Sequence, residues 1–218
     1  MIIDLHVHTN RSDGLYSPKQ VIKAAIKRGL DGIAITDHDV PPPRIRSDKI
    51  LIIPGIEVSS DQGHVLILGT QESFRRGMPL RELIDITREN SWIIIAAHPF
   101  FIHNSVGKAV LKYKFDAIEV LNGSIVPSFL NNIAIRVANL LKAPVTAGSD
   151  AHCLDIIGSC YTMFSIHTHD VDDVLEEIRK GRTRVYGKPD FLKNIKCSIR
   201  RLPISIRRFL RHRTLRFS

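Results

Sequence analysis

The chain has 218 residues, 44% of them hydrophobic, and a formal net charge of +9. That length and apolar content suffice for one sizeable barrel or sandwich, or two small domains, and exclude wholesale disorder. No acidic residue follows Asp190, and Lys193, Lys196, Arg200, Arg201, Arg207, Arg208, Arg211, Arg213 and Arg216 account for the whole excess, so bulk charge says nothing about nucleic-acid binding by the near-neutral body.

The first predicted strand, Ile2 to Val7, leads into His6-Val7-His8. Residues two apart on a strand face the same way, so both imidazoles can chelate one divalent ion. Asp13 follows on a turn marked by Ser12 and Gly14. Ser17-Pro18 predicts an N-cap and first helical position for a helix over Lys19 to Arg28, stopped by Gly29. A second strand, Gly32 to Thr36, ends in Asp37-His38-Asp39, and Pro41-Pro42-Pro43 marks a loop. Asp37 and His38 would face opposite ways, so one is a ligand and the other orients it. Asp39 is either a support or substrate contact or an ordinary turn aspartate.

Ile50 to Ile53 and Ile56 to Val58 read as strand pieces around a Pro54-Gly55 turn, with Glu57 on the second. His64 opens a strand to Leu68, and Leu80 to Glu89 is an amphipathic helix with Leu80, Leu83, Ile84 and Thr87 on one side. The run Trp92 to Ala97 is continuously apolar, as in a parallel strand buried on both faces, and ends at His98-Pro99, where the proline favours an extended His98. Ala117 to Leu121 is a strand, with Glu119 either supporting a ligand or lining the barrel. Phe129 to Leu141 is a helix. Pro144 to Ala147 is a strand followed by Gly148-Ser149-Asp150-Ala151-His152, a second i, i+2 pair. Cys160 to Ile166 reads as a strand and Asp170 to Lys180 as a helix closed by Gly181.

This β-then-α order predicts an α/β fold with a parallel sheet or (β/α) barrel, in which strand C-termini share one mouth. His6, His8, Asp13, His38, Glu57, His64, His98, Asp150 and His152 would converge there. Nine nitrogen and oxygen ligands exceed one zinc-type shell and suit two or three ions of manganese, iron or zinc. Arg11, Arg44 and Arg46 lie on nearby loops, as phosphate clamps or as solvated cations. Asp4 is a candidate acceptor beneath the ions. His103, His167, His169 and His212 have no partner motif and read as surface or structural.

Cys153, Cys160 and Cys197 show no Cys-x-x-Cys spacing, which argues against a disulfide framework and for a reducing compartment. No signal-peptide pattern or bilayer-length apolar run is present, so a cytoplasmic protein is expected. Residues 191–218 read as a basic tail on a domain of residues 1–190. Its cations alternate with apolar side chains, and Pro203 is expected to interrupt any single helix. The tail either contacts an RNA or DNA backbone, meets an anionic membrane surface, or packs partly on the barrel.

The His6-Val7-His8, Thr36-Asp37-His38, Pro54-Gly55-Ile56-Glu57, His98-Pro99 and Gly148-Ser149-Asp150-Ala151-His152 motifs, in this order, resemble the PHP (polymerase and histidinol phosphatase) superfamily. The resemblance spans roughly residues 1 to 190 and is nearest to small stand-alone nucleoside bisphosphate phosphatases and exoribonucleases. It implies a distorted (β/α)7 TIM-like barrel and a trinuclear site. His6, His8, Glu57 and Asp150 would hold one ion, Glu57 with His64 and His98 a second, and Asp13, His38 and His152 a third. Glu57, Asp150 and His152 stand at its catalytic centre. The implied activity is hydrolysis of a phosphate ester, on a nucleotide, oligonucleotide or small phosphomonoester, by a hydroxide bridging the ions. The stretch between His98 and Asp150 is short and lacks the helical insertion of those relatives, which leaves the substrate open. The alternative is a non-catalytic, metal-stabilised module that binds nucleic acid through its tail.

Overall fold

The computed structural model describes residues 1–125 and 129–202 in full and the backbone of residues 203–214. Among them, nine strands form one sheet: β1 (Ile2–Val7), β2 (Gly32–Ile35), β3 (Leu51–Ser60), β4 (Gly63–Leu68), β5 (Ile93–Ala96), β6 (Ala117–Asn122), β7 (Val145–Gly148), β8 (Cys160–Phe164) and β9 (Thr183–Gly187). Their spatial order is β7-β6-β5-β4-β3-β2-β1-β8-β9.

The sheet curls into a nearly closed barrel. The segment after β7 returns to β1: the Asp150 amide donates to the His6 carbonyl at 2.8 Å, and the His8 amide donates to the Ala151 carbonyl at 3.0 Å. This approach needs a glycine at 148, because a Cβ there would lie 2.4 Å from the His6 Cβ. The result is the expected distorted (β/α)7 barrel, with β8 and β9 added antiparallel beside the first half of β1.

The expectation of a parallel sheet holds for β1–β2–β3 and β5–β6–β7 and fails between them. β3 and β4 are joined through Asp61 and Gln62 alone, a connection that permits a hairpin and forbids a crossover, so β3–β4 and β4–β5 are antiparallel. The Pro54-Gly55 turn is also corrected. β3 runs through it unbroken, because Pro54 pairs with Ile35 and its carbonyl accepts from the Gly69 amide at 2.8 Å.

Helices cover the outer face. α1 (Pro18–Lys27) starts at Ser17, whose amide donates to Gln20 Oε1 at 3.0 Å, and buries Val21, Ile22 and Ala25. α2 (Leu80–Glu89) buries Leu80, Leu83, Ile84 and Thr87, the predicted stripe. α3 (Phe129–Leu141) packs on β6. α4 (Val171–Arg179) is capped by Asp170, which accepts from the Asp172 amide. α5 (Phe191–Thr214) continues through Pro203, so the expected helix break there does not occur. The tail side chains beyond Leu202, His212 included, lie outside the described residues.

A register shift in β1 between Asp4 and Val7 aims the first histidines. Ile3 and Leu5 pack with Ile53, Leu66, Ile93 and Ile95, whereas Val7 packs with Val21, Ile33 and Ile35 under α1. Strict alternation would put Val7 with Leu5. The irregularity changes the phase and turns His6 and His8 to the mouth.

Candidate metal centre

Glu57, on β3 and 1% exposed, is the hub. Its Oε2 lies 3.1 Å from His6 Nε2, 3.1 Å from His8 Nε2 and 3.3 Å from His38 Nδ1. Its Oε1 lies 2.9 Å from His64 Nδ1 and 3.0 Å from His98 Nε2. The β3–β4 hairpin sets His64 opposite Ser59 and so returns it to the mouth. Asp150 Oδ1 stands 3.2 Å from His8 Nε2 and 3.6 Å from both His6 Nε2 and His152 Nδ1. Asp13 Oδ2 is 3.1 Å from His152 Nε2 and 4.0 Å from His38 Nε2. All nine residues named from the sequence thus stand together.

The donors fit divalent ions. Four overlapping groups, each with one ligand atom per residue within 4.8 Å of the others, comprise His6-Glu57-His98, His6-His8-Asp150, His38-Glu57-His64 and His8-Asp13-His38-His152. His6 Nε2 and His8 Nε2 point at each other across 3.1 Å, and both also face Glu57 Oε2. Three lone-pair-bearing atoms aimed at one point suit a shared cation. His8 Nδ1 and His98 Nδ1 are buried without a hydrogen-bond partner, at a cost unless something else is bound. The imidazole and carboxylate set, without thiolate, suits manganese, iron or zinc.

Several residues hold these groups in place. Glu119 Oε1 meets His6 Nδ1 at 3.0 Å, and its Oε2 accepts from the His98 amide at 2.9 Å and from Asn122 Nδ2 at 3.0 Å. A carboxylate on the far nitrogen fixes an imidazole's tautomer and orientation. Asp37 turns away from the mouth and accepts from Thr9 and Ser12, securing the loop that carries Asp13. Asp39 accepts from Ser59, whose hydroxyl is 3.4 Å from His64 Nε2. Asp4 accepts from the Ser149 and Gly158 amides beneath the centre, and burial raises its carboxyl to about 6.

His98 is not extended as the Pro99 rule suggested. Its φ is +30°, because its amide is taken by Glu119 and its carbonyl by the Phe101 amide in a turn. Asp150 is likewise at φ +51° and Asp39 at +52°. Strained backbone at two central residues, about 1–3 kcal/mol each, is the kind of cost the surrounding bonds must offset.

Burial depresses His8, but hydrogen bonds to Asp150 and Glu57 outweigh it and raise the imidazole to about 10. His6 is also raised above its ordinary range: burial opposes, and the charges of Glu119, Asp150 and Glu57 prevail. Burial lowers His38 to about 4. Burial would raise Glu57, Asp13 and Asp150, yet their histidine neighbours hold all three well below the carboxylate range. In chelator-treated protein this His6–His8 pair is therefore expected to hold protons more tightly than free imidazoles, and an entering cation has to displace them. Metal affinity is expected to rise with pH between 6 and 8, and the calorimetric heat of Mn²⁺ binding to depend on buffer ionisation enthalpy. A heat independent of buffer would contradict this charge assignment.

Of the predicted phosphate clamps, Arg11 donates to the Pro41 carbonyl at 2.7 Å and lines a cavity of about 500 Å³ beside His38 and Asp13. Arg44 and Arg46 are exposed and line neither that cavity nor the one of about 270 Å³ directly over the centre. The sequence reading missed Arg76, in the larger cavity, and Arg201, Asn194 and Cys197 of α5, in the smaller.

Cys197 is disulfide-bonded to Cys153, against the expectation from cysteine spacing. Their separation of 44 residues forms no recognisable motif, and α5 alone brings them to a Cα distance of 5.9 Å. With that bond present, cysteine spacing gives no ground for a reducing compartment. Cys160 is free and buried. No helix is long and apolar enough to cross a membrane among the described residues.

The PHP domain model matches residues 4–126, and the PHP-associated model matches residues 129–183. The chain belongs to the PHP family. An uncharacterized Methanocaldococcus jannaschii protein is 30% identical to this PHP chain over 176 residues, 76% of the chain and 71% of that protein. The 5′-3′ exoribonuclease Rnm of Salmonella typhimurium is 41% identical over 68 residues, 28% of the chain and 23% of the enzyme. PsfC of Pseudomonas syringae superposes with a TM-score of 0.70 at 19% identity, covering 93% of this chain and 98% of that one. A two-domain Bacteroides vulgatus protein containing a predicted PHP-like metal-dependent phosphoesterase gives 0.67 at 19% identity, over 86% of this chain and 65% of that one. The last two likenesses bear on the fold of this PHP domain.

Proposed function

We propose that this protein is a metal-dependent hydrolase of phosphate esters, acting on a nucleotide, an oligonucleotide or a small phosphomonoester. One observation carries the reading: the Glu57 carboxylate stands within 3.3 Å of five imidazole nitrogens. A purely structural site closes with about four ligands, whereas this set suits two or three ions with Glu57 between them. Divalent ions held there supply a Lewis acid for phosphate oxygens and an acidified water.

The protein's own groups do the rest. His6, His8, Glu57 and Asp150 would hold one ion, Glu57, His64 and His98 a second, and Asp13, His38 and His152 a third. Glu119 holds the His6 ring and the His98 backbone, so the donors are set before substrate arrives. The cavity over the centre is lined by Asp150, Glu57, His64, His98, Asp13, His38 and His152, so a phosphate in it would meet members of all three groups. The short stretch shared with the Salmonella exoribonuclease supports a phosphate ester of nucleotide type. The binding-module reading has no use for so many convergent donors and is not favoured.

The test is phosphate release by Mn²⁺-reconstituted protein from p-nitrophenyl phosphate, a nucleoside 3′,5′-bisphosphate, short 5′-phosphorylated RNA and histidinol phosphate, each with and without chelator. Metal-dependent release from one class names the substrate. No release from any of these, nor cleavage of bis(p-nitrophenyl) phosphate or RNA, would overturn the reading.

A further inference from the structure

Helix α5 forms one wall of the cavity over the metal centre. Asn194, Cys197, Ser198 and Arg201 follow i, i+3, i+4, i+7 spacing, which puts them on one helix face, and all four line that cavity. The face is fastened at two points before Arg201: Asn194 Nδ2 donates to the Gly123 carbonyl at 2.8 Å, and Cys197 is bonded to Cys153. One turn further, Arg201 Nη2 reaches Asp13 Oδ2 at 2.5 Å. The neighbouring Arg200 instead points outward to Asp155 at 2.8 Å.

We propose that Arg201 is a substrate-binding residue that takes the non-esterified oxygens of the substrate phosphate, with α5 as the wall that positions it. This rests on the phosphoesterase reading above. Among the described residues, Arg201 is the one lysine or arginine lining the cavity over the centre, where Asp13, Glu57 and Asp150 are the carboxylates. A guanidinium on that wall would add directional N–H donors for phosphate oxygens that the ions do not reach. A guanidinium offers five N–H donors in a planar fork matched to phosphate, and Asp13 takes the one side-chain bond seen for it here. The arginine arrives from the part of the chain that looked like a detached basic tail, and it reaches the site because the helix is fastened one turn before it.

The experiment uses full-length, Mn²⁺-reconstituted protein, with inorganic phosphate as the calorimetric ligand and p-nitrophenyl phosphate as substrate. Arg201→Ala is expected to weaken phosphate binding by about 10- to 100-fold, the scale of losing charged hydrogen bonds. KM should rise by a similar factor with kcat little changed. Arg201→Lys should recover part of the affinity, and Arg200→Ala should match wild type. Manganese content should stay constant throughout. Unchanged phosphate affinity in Arg201→Ala would overturn the proposal, as would a loss that tracks loss of manganese, because Arg201 would then act by supporting Asp13. Arg201-dependent phosphate binding without turnover would sink the hydrolase reading and leave this one standing. Turnover with an indifferent Arg201 would do the reverse.

Discussion

Glu57→Gln is expected to abolish metal-dependent phosphate release, by on the order of 10³-fold, the scale at which losing one group that stabilises developing charge acts. Gln keeps the shape of the side chain, so packing on β3 is preserved. It removes the charge that five imidazole nitrogens face at 2.9 to 3.3 Å. One carboxylate oxygen becomes an amide nitrogen, which donates hydrogen bonds and cannot ligate a cation alongside the rings. Bound manganese, measured on gel-filtered protein, should fall in parallel. Glu119→Gln is the informative contrast. It meets His6 from behind and should cost about 10- to 100-fold in metal affinity, the usual effect of a supporting carboxylate. A Glu57→Gln protein that kept both its manganese and its turnover would remove the basis for the proposed function.

The second large effect concerns the Cys153–Cys197 bond. It closes a 44-residue loop, and the chain-entropy relation assigns such a closure about 4 kcal/mol. Cys197→Ser, or reduction with dithiothreitol, should lower the urea midpoint accordingly. It should also loosen the face of α5 that carries Arg201, raising KM more than it lowers kcat. The bond itself is checked by alkylating unreduced protein in guanidinium chloride, where Cys160 should be the single thiol modified. Modification of all three cysteines would show that the bond does not form.

Most of the centre was legible in the sequence because each ligand announces itself locally. His6-x-His8 and Asp150-x-His152 are i, i+2 pairs at or just past strand ends, and His38, Glu57 and His98 sit on or just after strands whose apolar runs are plain. A barrel does the remaining work by bringing strand ends to one mouth. What local pattern could not carry was long-range or dihedral in nature. The antiparallel turn of β3 into β4 follows from two loop residues, Asp61 and Gln62, inside what read as alternating units. The positive φ of His98 depends on Glu119, 21 residues away, claiming its amide. The places of Cys197 and Arg201 depend on α5 folding back over a mouth built from the first 152 residues. Nothing in the tail's own composition separates Arg201 from the cations around it.

The seam where the barrel closes carries the Asp150–His6 and Ala151–His8 backbone bonds, and His6, His8 and Asp150 also turn their side chains into the candidate metal centre. Opening the sheet here would pull those three side chains apart. An ion held by His6, His8 and Asp150 would act as a rivet between β1 and the segment after β7, from opposite ends of the chain. Bound cation would then raise the cost of parting the sheet at this seam.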